Sequence, residues 1–177
     1  FFIKPTFSVR SSNIDLNGKF GSGFKNIKYS PNGNSYYGVG VYLYGLNLEL
    51  STKFPSSWQR SVENFGSTNS FDFRANIYTR KIALDFAYLL YQGFYLSKPQ
   101  NHYANWESGD PHPQRSDLGY ENLYINAYYI FNNERFSMRS SYNQSEKQLR
   151  SVGTPLIAFT FADVKIHADS TLFPDET

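Results

Sequence analysis

The stretch that decides the fold is Phe71-Asp72-Phe73-Arg74-Ala75-Asn76-Ile77-Tyr78-Thr79-Arg80-Lys81. Its first, third, fifth and seventh residues are apolar, and the residues between them are polar or charged. Because successive side chains of a β-strand point to opposite faces, this period of two predicts a strand with one apolar and one charged face. A Phe-rich face opposite full charges is typical of a strand with lipid outside and a polar barrel interior.

The composition favours strands and membrane interfaces. Aromatic residues make up 19% of the 177 residues, with 15 Tyr and 16 Phe, and both types are enriched in strands and at the membrane–water interfaces of barrels. The mean hydropathy is −0.52. Alternation mixes apolar residues evenly with polar ones in a barrel strand, so this value does not decide between lipid and water.

Several classes of protein are excluded. The sequence has no run of about 18 apolar residues, which excludes a transmembrane helix, and no Cys, which excludes disulfides and thiolate metal sites. The formal net charge of +2 is too small to indicate a nucleic-acid partner. The 177 residues show no signal peptide, and we expect one to have been removed or to lie upstream.

Turn residues divide the chain into eight predicted strands. Asn17-Gly18 predicts a tight turn after the first strand. In the third strand both faces are apolar, and Gly38, Gly40 and Gly45 predict a bend or close packing. The predicted strands cover about 4–14, 20–30, 36–50, 71–80, 82–96, 118–131, a seventh beginning at residue 135, and 154–167.

The lengths of the links favour a barrel in the outer membrane. Links after the second, fourth and sixth strands are short, whereas those around 52–70 and 97–117 are long. This alternation is expected where periplasmic turns are short and outer loops long. The sequence therefore predicts an all-β fold, an antiparallel transmembrane β-barrel formed by a single domain over 1–177. A barrel in lipid must close: the eight or so strands of this segment could close by themselves, or further strands could bring the intact protein to 10–12 or more.

Local runs along most of the chain resemble an uncharacterised family of outer-membrane β-barrel proteins of Gram-negative bacteria, a domain of unknown function. The runs are KPTFSVR at 4–10, YSPN at 29–32, GVG at 38–40, FDF at 71–73 followed by Asn76 and Tyr78, YQGFY at 91–95, FNNERFS at 131–137, EKQ at 146–148 and SVG at 151–153. The resemblance implies a barrel in the cell outer membrane whose chain continues beyond the last run. It implies no activity, ligand or catalytic residue.

The positions of the three histidines in the sequence do not indicate a metal site or a catalytic site. His102 and His112 share a long loop with Glu107 and Asp110, but their spacing matches no metal pattern, which favours a solvated loop. A nucleophilic Ser needs its base within hydrogen-bond reach. His167 could serve Ser140, Ser141 or Ser145, but no flanking motif supports such a pair. We therefore predict no catalytic residue, no cofactor and no metal.

Charged residues at inward positions predict an ion-paired network inside the barrel. An unpaired charge in a narrow lumen is costly, so arginines and carboxylates are expected to pair there. Such a network would fill a small barrel, but the same charges would line a channel in a larger one. The predicted members are Asp72, Arg74, Arg80, Asp85, Glu121, Arg135 and Arg139.

The leading functional hypothesis is a non-enzymatic outer-membrane barrel that is a structural or accessory subunit of an envelope complex. Its predicted partners are membrane lipid, lipopolysaccharide and other outer-membrane proteins, with no nucleic acid. One alternative is a channel or transporter for small solutes, and another is a lipid-modifying barrel enzyme. A water-soluble lipocalin-like barrel is a third alternative, which a Phe-rich outer face argues against.

Overall fold

The described part of the chain forms nine strands and a few short helices. The computed structural model describes residues 1–20, 23–142 and 146–172. It describes the side chains of all these residues except 19, 20 and 23–25. In chain order the elements are β1 (Phe2–Val9), β2 (Ile14–Phe20), β3 (Gly23–Ser30), β4 (Ser35–Leu43), β5 (Leu46–Lys53), α1 (Ser56–Gln59), α2 (Val62–Phe65), β6 (Asn69–Tyr78), β7 (Ile82–Leu96), a 3-10 turn (Pro99–Asn101), β8 (Gln114–Ile130), α3 (Met138–Tyr142) and β9 (Leu156–His167).

The strands form one antiparallel sheet, which confirms the predicted all-β antiparallel class. Its order is β1-β4-β5-β6-β7-β8-β9, and the β2–β3 hairpin joins the end of β7 where Tyr29 and Ser30 pair with Leu96 and Tyr95. Within the described residues, β1 pairs only with β4 and β9 only with β8. The sheet is therefore not closed over this part of the chain, and a closed barrel stays a prediction.

The sequence prediction of a single third strand over 36–50 is wrong. This stretch forms β4 and β5, which are joined at Tyr44 and Gly45. Both turn residues have positive φ, 46° for Tyr44 and 101° for Gly45, as a tight hairpin turn requires. The apolar residues continue on the outer face of both strands, so the pattern did not reveal the reversal.

The predicted turn at Asn17-Gly18 is also wrong. Both residues lie inside β2, where they pair with Asn26 and Lys25 of β3. The break in the predicted first strand comes earlier, at residues 10–13 between β1 and β2. Buried Ile14 begins the second strand, so hydrophobic burial set the boundary rather than turn propensity.

The predicted seventh strand, beginning at residue 135, is a turn followed by helix α3. The hydroxyl of Ser137 accepts a hydrogen bond from the amide of Ser140 at 3.3 Å, which stabilises the start of the helix. Met138 is buried against Tyr78, Ala83 and Ile130. The short alternation in the sequence was compatible with a strand, but burial of Met138 against three strand residues favours the helix.

Two apolar clusters lie at opposite ends of the sheet. The first packs the β2–β3 hairpin against β7 and β8 and consists of Ile14, Ile27, Tyr29, Tyr36, Tyr91, Phe94, Leu96 and Leu118. The second lies beneath α3. The long links 54–68 and 97–113 lie at the first end, which we call the loop end, and the turns 44–45 and 79–81 at the second, the turn end. Link 131–155 is long and lies at the turn end, which breaks the predicted alternation.

Gly93 forms a bulge in β7, and we predict that Ala at this position destabilises the protein. Its φ is +89°, and a Cβ atom there would lie 2.2 Å from the carbonyl oxygen of Ser67. The positive φ alone costs roughly 1–2 kcal/mol, and the backbone collision adds to it. Urea unfolding should show a lower free energy of unfolding for Gly93→Ala. Gly153→Ala is the control because its Cβ would meet nothing within 4 Å, and equal losses in both variants would contradict the prediction.

None of the helices among the described residues has the length and apolar character needed to cross a membrane.

Candidate functional site

The register separates two unlike faces of the sheet. Leu50 pairs with Val39 and Phe73, whereas Ser51 pairs with Gly38 and Asp72. We call the side that carries Asp72 the inner face and the side that carries Phe71 the outer face. Asp72 is fully buried and Phe71 is 42% exposed. The charged side of the strand is thus the enclosed one, and the apolar side is the open one.

A group of ion pairs surrounds Asp72 on the inner face. One carboxylate oxygen accepts a hydrogen bond from Arg10 Nη1. Arg74 donates to both oxygens, from Nε at 2.9 Å and from Nη2 at 3.1 Å. Arg10 also donates from Nη2 to Glu49 at 3.1 Å. Two guanidinium groups and two carboxylates therefore balance each other, as ions withdrawn from water must. We call these four residues the Asp72 cluster.

Arg10 is the member that sequence reasoning missed. It comes directly after β1, and its side chain has the same parity as the inward residues Lys4, Thr6 and Ser8. The sequence shows this parity. It does not show which residue Arg10 pairs with, because Asp72 lies 62 residues away along the chain.

Tyr36 and Lys53 border the cluster toward the loop end. The guanidinium carbon of Arg10 lies 5.5 Å from the centre of the Tyr36 ring, and Lys53 Nζ lies 5.8 Å from it, distances at which a cation is attracted to an aromatic face. Lys53 is only 5% exposed. Its ammonium donates to the carbonyl oxygens of Asn32 and Gly33, both at 2.6 Å, which ties the 31–34 turn to β5.

The predicted member Asp85 forms a separate cluster with neutral partners on the same face. It accepts hydrogen bonds from Asn76 Nδ2 at 2.8 Å and from the Tyr78 hydroxyl at 2.9 Å. Asn76 in turn accepts from Asn47 Nδ2 at 3.2 Å. The inner face is thus polar from the Asp72 cluster toward the turn end, and neutral partners take the place of the expected arginines around Asp85.

Three of the predicted arginines lie at the turn end. Arg80 and Arg135 are in exposed turns. Arg139 in α3 donates from Nε to the carbonyl oxygen of Tyr78 at 2.6 Å and pairs with Glu146 at 3.2 Å. Hydrogen bonds from Ser137 and Arg139, together with the positive charges of Arg139 and Arg80, lower the pKa of the Glu146 carboxyl. These arginines therefore hold α3 to the sheet or face solvent, outside the Asp72 cluster.

Glu121 lies on the outer face, opposite the Asp72 cluster. It pairs in register with Leu90 and Lys165, and the Tyr88 hydroxyl donates to it at 2.9 Å. Lys165 in turn pairs with Asp163 at 3.4 Å. The outer face is consequently polar at this place on β8 and β9, although it is apolar across β4, β5 and β6.

His112 packs among aromatic side chains in the long loop. His112 lies 4.8 Å from the ring centre of Phe65 and 5.3 Å from that of Trp106, and its Nδ1 is 2.7 Å from the carbonyl oxygen of Leu96. Among the described residues, no group of three or more His, Asp or Glu side chains is arranged to hold a metal ion. The long loop is therefore ordered by aromatic contacts with His112 at their centre.

The Ser–His pair considered for a lipid-modifying enzyme is not brought together. His167 ends β9 beside Gly119, whereas Ser140 and Ser141 are in α3 at the turn end, where β9 begins. β9 is twelve residues long, so its two ends lie roughly 36 Å apart at about 3.3 Å per residue. Ser145, the remaining candidate nucleophile, lies outside the described residues.

The fold and the site together define an all-β protein, built on an open antiparallel sheet with an ion-paired inner face. The chain belongs to the family described as a domain of unknown function, DUF4421, which matches residues 4–177. Comparison with curated proteins and with solved structures found no match.

Proposed function

We propose that this protein is an integral outer-membrane β-barrel protein, without enzymatic activity, that serves as a structural or accessory subunit of an envelope complex. The observation that carries the proposal is the inversion of the usual polarity of the sheet. Side chains of Phe7, Val39 and Leu50 are 75%, 45% and 45% exposed, whereas Asp72 is fully buried. An exposed apolar band opposite an enclosed polar face is the arrangement that a lipid-embedded barrel needs.

Aromatic side chains at both ends of the outer face support the same proposal. At the loop end, Phe54 lies 4.8 Å from Tyr37 and 6.2 Å from Trp58, measured between ring centres. At the turn end, Tyr129 and Phe131 are 5.0 Å apart. Girdles of aromatic residues flank the apolar band of outer-membrane barrels at both interfaces, and these two groups occupy the corresponding positions.

The two open edges of the sheet, β1 and β9, indicate that a closed barrel needs further strands. In the hydrocarbon layer an unpaired strand edge leaves backbone N–H and C=O groups without partners. We therefore propose that strands outside this sheet pair with β1 and β9 and close a barrel of 10–12 or more strands. Residues of β9 are exposed on both faces, as expected of a strand that has β8 on one side and still lacks a neighbour on the other.

A channel is the second candidate, because an inner face in a larger barrel lines a lumen. The half-exposed guanidinium of Arg74 favours it, with 39% of the side chain accessible. The Asp72 cluster favours the structural role, since its charges are already neutralised within the wall. Planar-bilayer recording separates the two: we expect no steady conductance, and a steady open current would replace the structural role with a channel.

Membrane fractionation tests the proposed location. The full-length protein should remain in the outer-membrane fraction after extraction with carbonate and with urea, and should enter solution only with detergent. The loops at the loop end should also cross-link to other envelope proteins in intact cells. Recovery as a detergent-free monomer in the soluble fraction would overturn the proposal.

A further inference from the structure

A groove of about 460 Å³ crosses the outer face of β4, β5 and β6. Its walls include the apolar side chains of Tyr37, Val39, Leu50 and Phe71, all of which are more than 40% exposed. The groove follows the sheet rather than entering the protein. It is therefore shaped to receive a linear hydrocarbon chain lying against the surface.

At the loop end the groove opens into a second cleft of about 320 Å³ formed with α1, α2 and the residues after them. Tyr37, Thr52 and Ser70 line both spaces, so the groove and the cleft adjoin each other. The cleft adds the exposed polar side chains of Ser67 and Asn69, together with exposed Ser57. One continuous surface thus has an apolar half in the membrane band and a hydrogen-bonding half beside the loops.

The polar half offers hydrogen bonds but little charge. Among the described residues that line it, Lys53 is the cation, and its ammonium is held by the carbonyl oxygens of Asn32 and Gly33 at 2.6 Å. A phosphate group would find no available positive partner there, and burying it without one is costly. Hydroxyl groups would find matching donors and acceptors in the Ser and Asn side chains.

We propose that the groove and the cleft together bind one membrane glycolipid, with an acyl chain along Val39 and Leu50 and an uncharged, polyhydroxylated head group between Ser67 and Asn69. This inference rests on the proposed membrane location. It extends that proposal from general contact with lipid to one site with a defined chemical preference.

Native mass spectrometry of the full-length protein tests the acyl half. The protein is held in an amine-oxide detergent and titrated with dodecyl maltoside, which has an alkyl chain and an uncharged hydroxylated head. Val39→Trp fills the groove, and Val41→Trp is its matched control two residues along the same face. Each buried methylene contributes roughly a factor of four to affinity. Loss of contact with about two methylenes should weaken the one-to-one complex about fifteenfold in Val39→Trp and leave it unchanged in Val41→Trp.

The head-group half is tested by competition and by a second variant. We expect dodecyl maltoside to displace dodecylphosphocholine, and Ser67→Ala combined with Asn69→Ala to remove that preference. Leu50→Trp fills the groove from the neighbouring strand and should reproduce the effect of Val39→Trp if that variant folds poorly. Equal retention in wild type and both groove variants would overturn the site, and a preference for the phosphocholine would overturn the uncharged head group. If the proposed membrane location is wrong, fractionation would recover the wild-type protein in the soluble fraction. That result is distinct from any change of lipid binding in the groove variants.

Discussion

Asp72→Asn is expected to lower the free energy of unfolding by about 3–5 kcal/mol, the usual cost of removing one partner from a buried ion pair. The carboxylate of Asp72 is fully buried and accepts hydrogen bonds from both Arg10 and Arg74. The amide that replaces it is neutral, so two guanidinium groups lose their shared counter-charge. The side chain of Arg10 is only 20% exposed and cannot recover that loss fully from water.

Urea unfolding of the protein folded into lipid vesicles measures this effect. Asp15→Asn is the control, since Asp15 also pairs with a cation, Lys28 in the β2–β3 hairpin at the loop end, but the two side chains are 50% and 37% exposed. Exposed ion pairs contribute little to stability, so this variant should stay near the wild-type value. An equally small loss for Asp72→Asn would show that the Asp72 cluster does not stabilise the fold.

Leu50→Arg is expected to destabilise the protein in a bilayer by roughly 2–4 kcal/mol, the cost measured for Arg on the lipid face near the midplane. Leu50 lies near the middle of β5 and pairs with Val39 and Phe73, which are central in their own strands. Its side chain is 45% exposed. On a water-facing surface the same change would be within about 0.5 kcal/mol of neutral, so the two environments give clearly different results.

The matched control is Tyr44→Arg. Tyr44 is 97% exposed in the turn between β4 and β5, beyond the apolar band, where an arginine is tolerated. Stability in vesicles should therefore fall for Leu50→Arg and hold for Tyr44→Arg. Equal stability of the two variants would place the outer face in water and would count against the membrane location.

Alternation of residue types predicted the central strands well. The prediction of a strand over 82–96 matches β7, and the alternation from Phe71 to Tyr78 gives the correct faces of β6. These strands have one uniformly apolar face, which makes the period of two unmistakable. Short patterns failed where tertiary contacts decided the outcome: Met138 is buried in a helix, and the apolar residues before Gly45 continue in a new strand.

The candidate site was predictable in part. Asp72 and Arg74 were predicted to face inward, and they pair with each other on the inner face of the sheet. The prediction that Glu121 faces inward conflicts with its parity with outward Leu123, which indicates the outer face. The pairing of Asp72 with Arg10 depends on the placement of β1 beside β4, which no local pattern contains. Contacts between distant strands follow from the strand order, and alternation alone does not give that order.

The measurement that tests the central claim most directly is spin labelling along β6 in lipid vesicles. The protein has no native cysteine, so single cysteines at Ser70, Phe71, Phe73, Asn76 and Ile77 give unambiguous labels. We predict that labels at Phe71, Phe73 and Ile77 collide with dissolved oxygen, which concentrates in the hydrocarbon, and that those at Ser70 and Asn76 do not. Frequent collisions of the odd-numbered labels with a water-soluble nickel complex would contradict this account, because acyl chains would then not cover the apolar face.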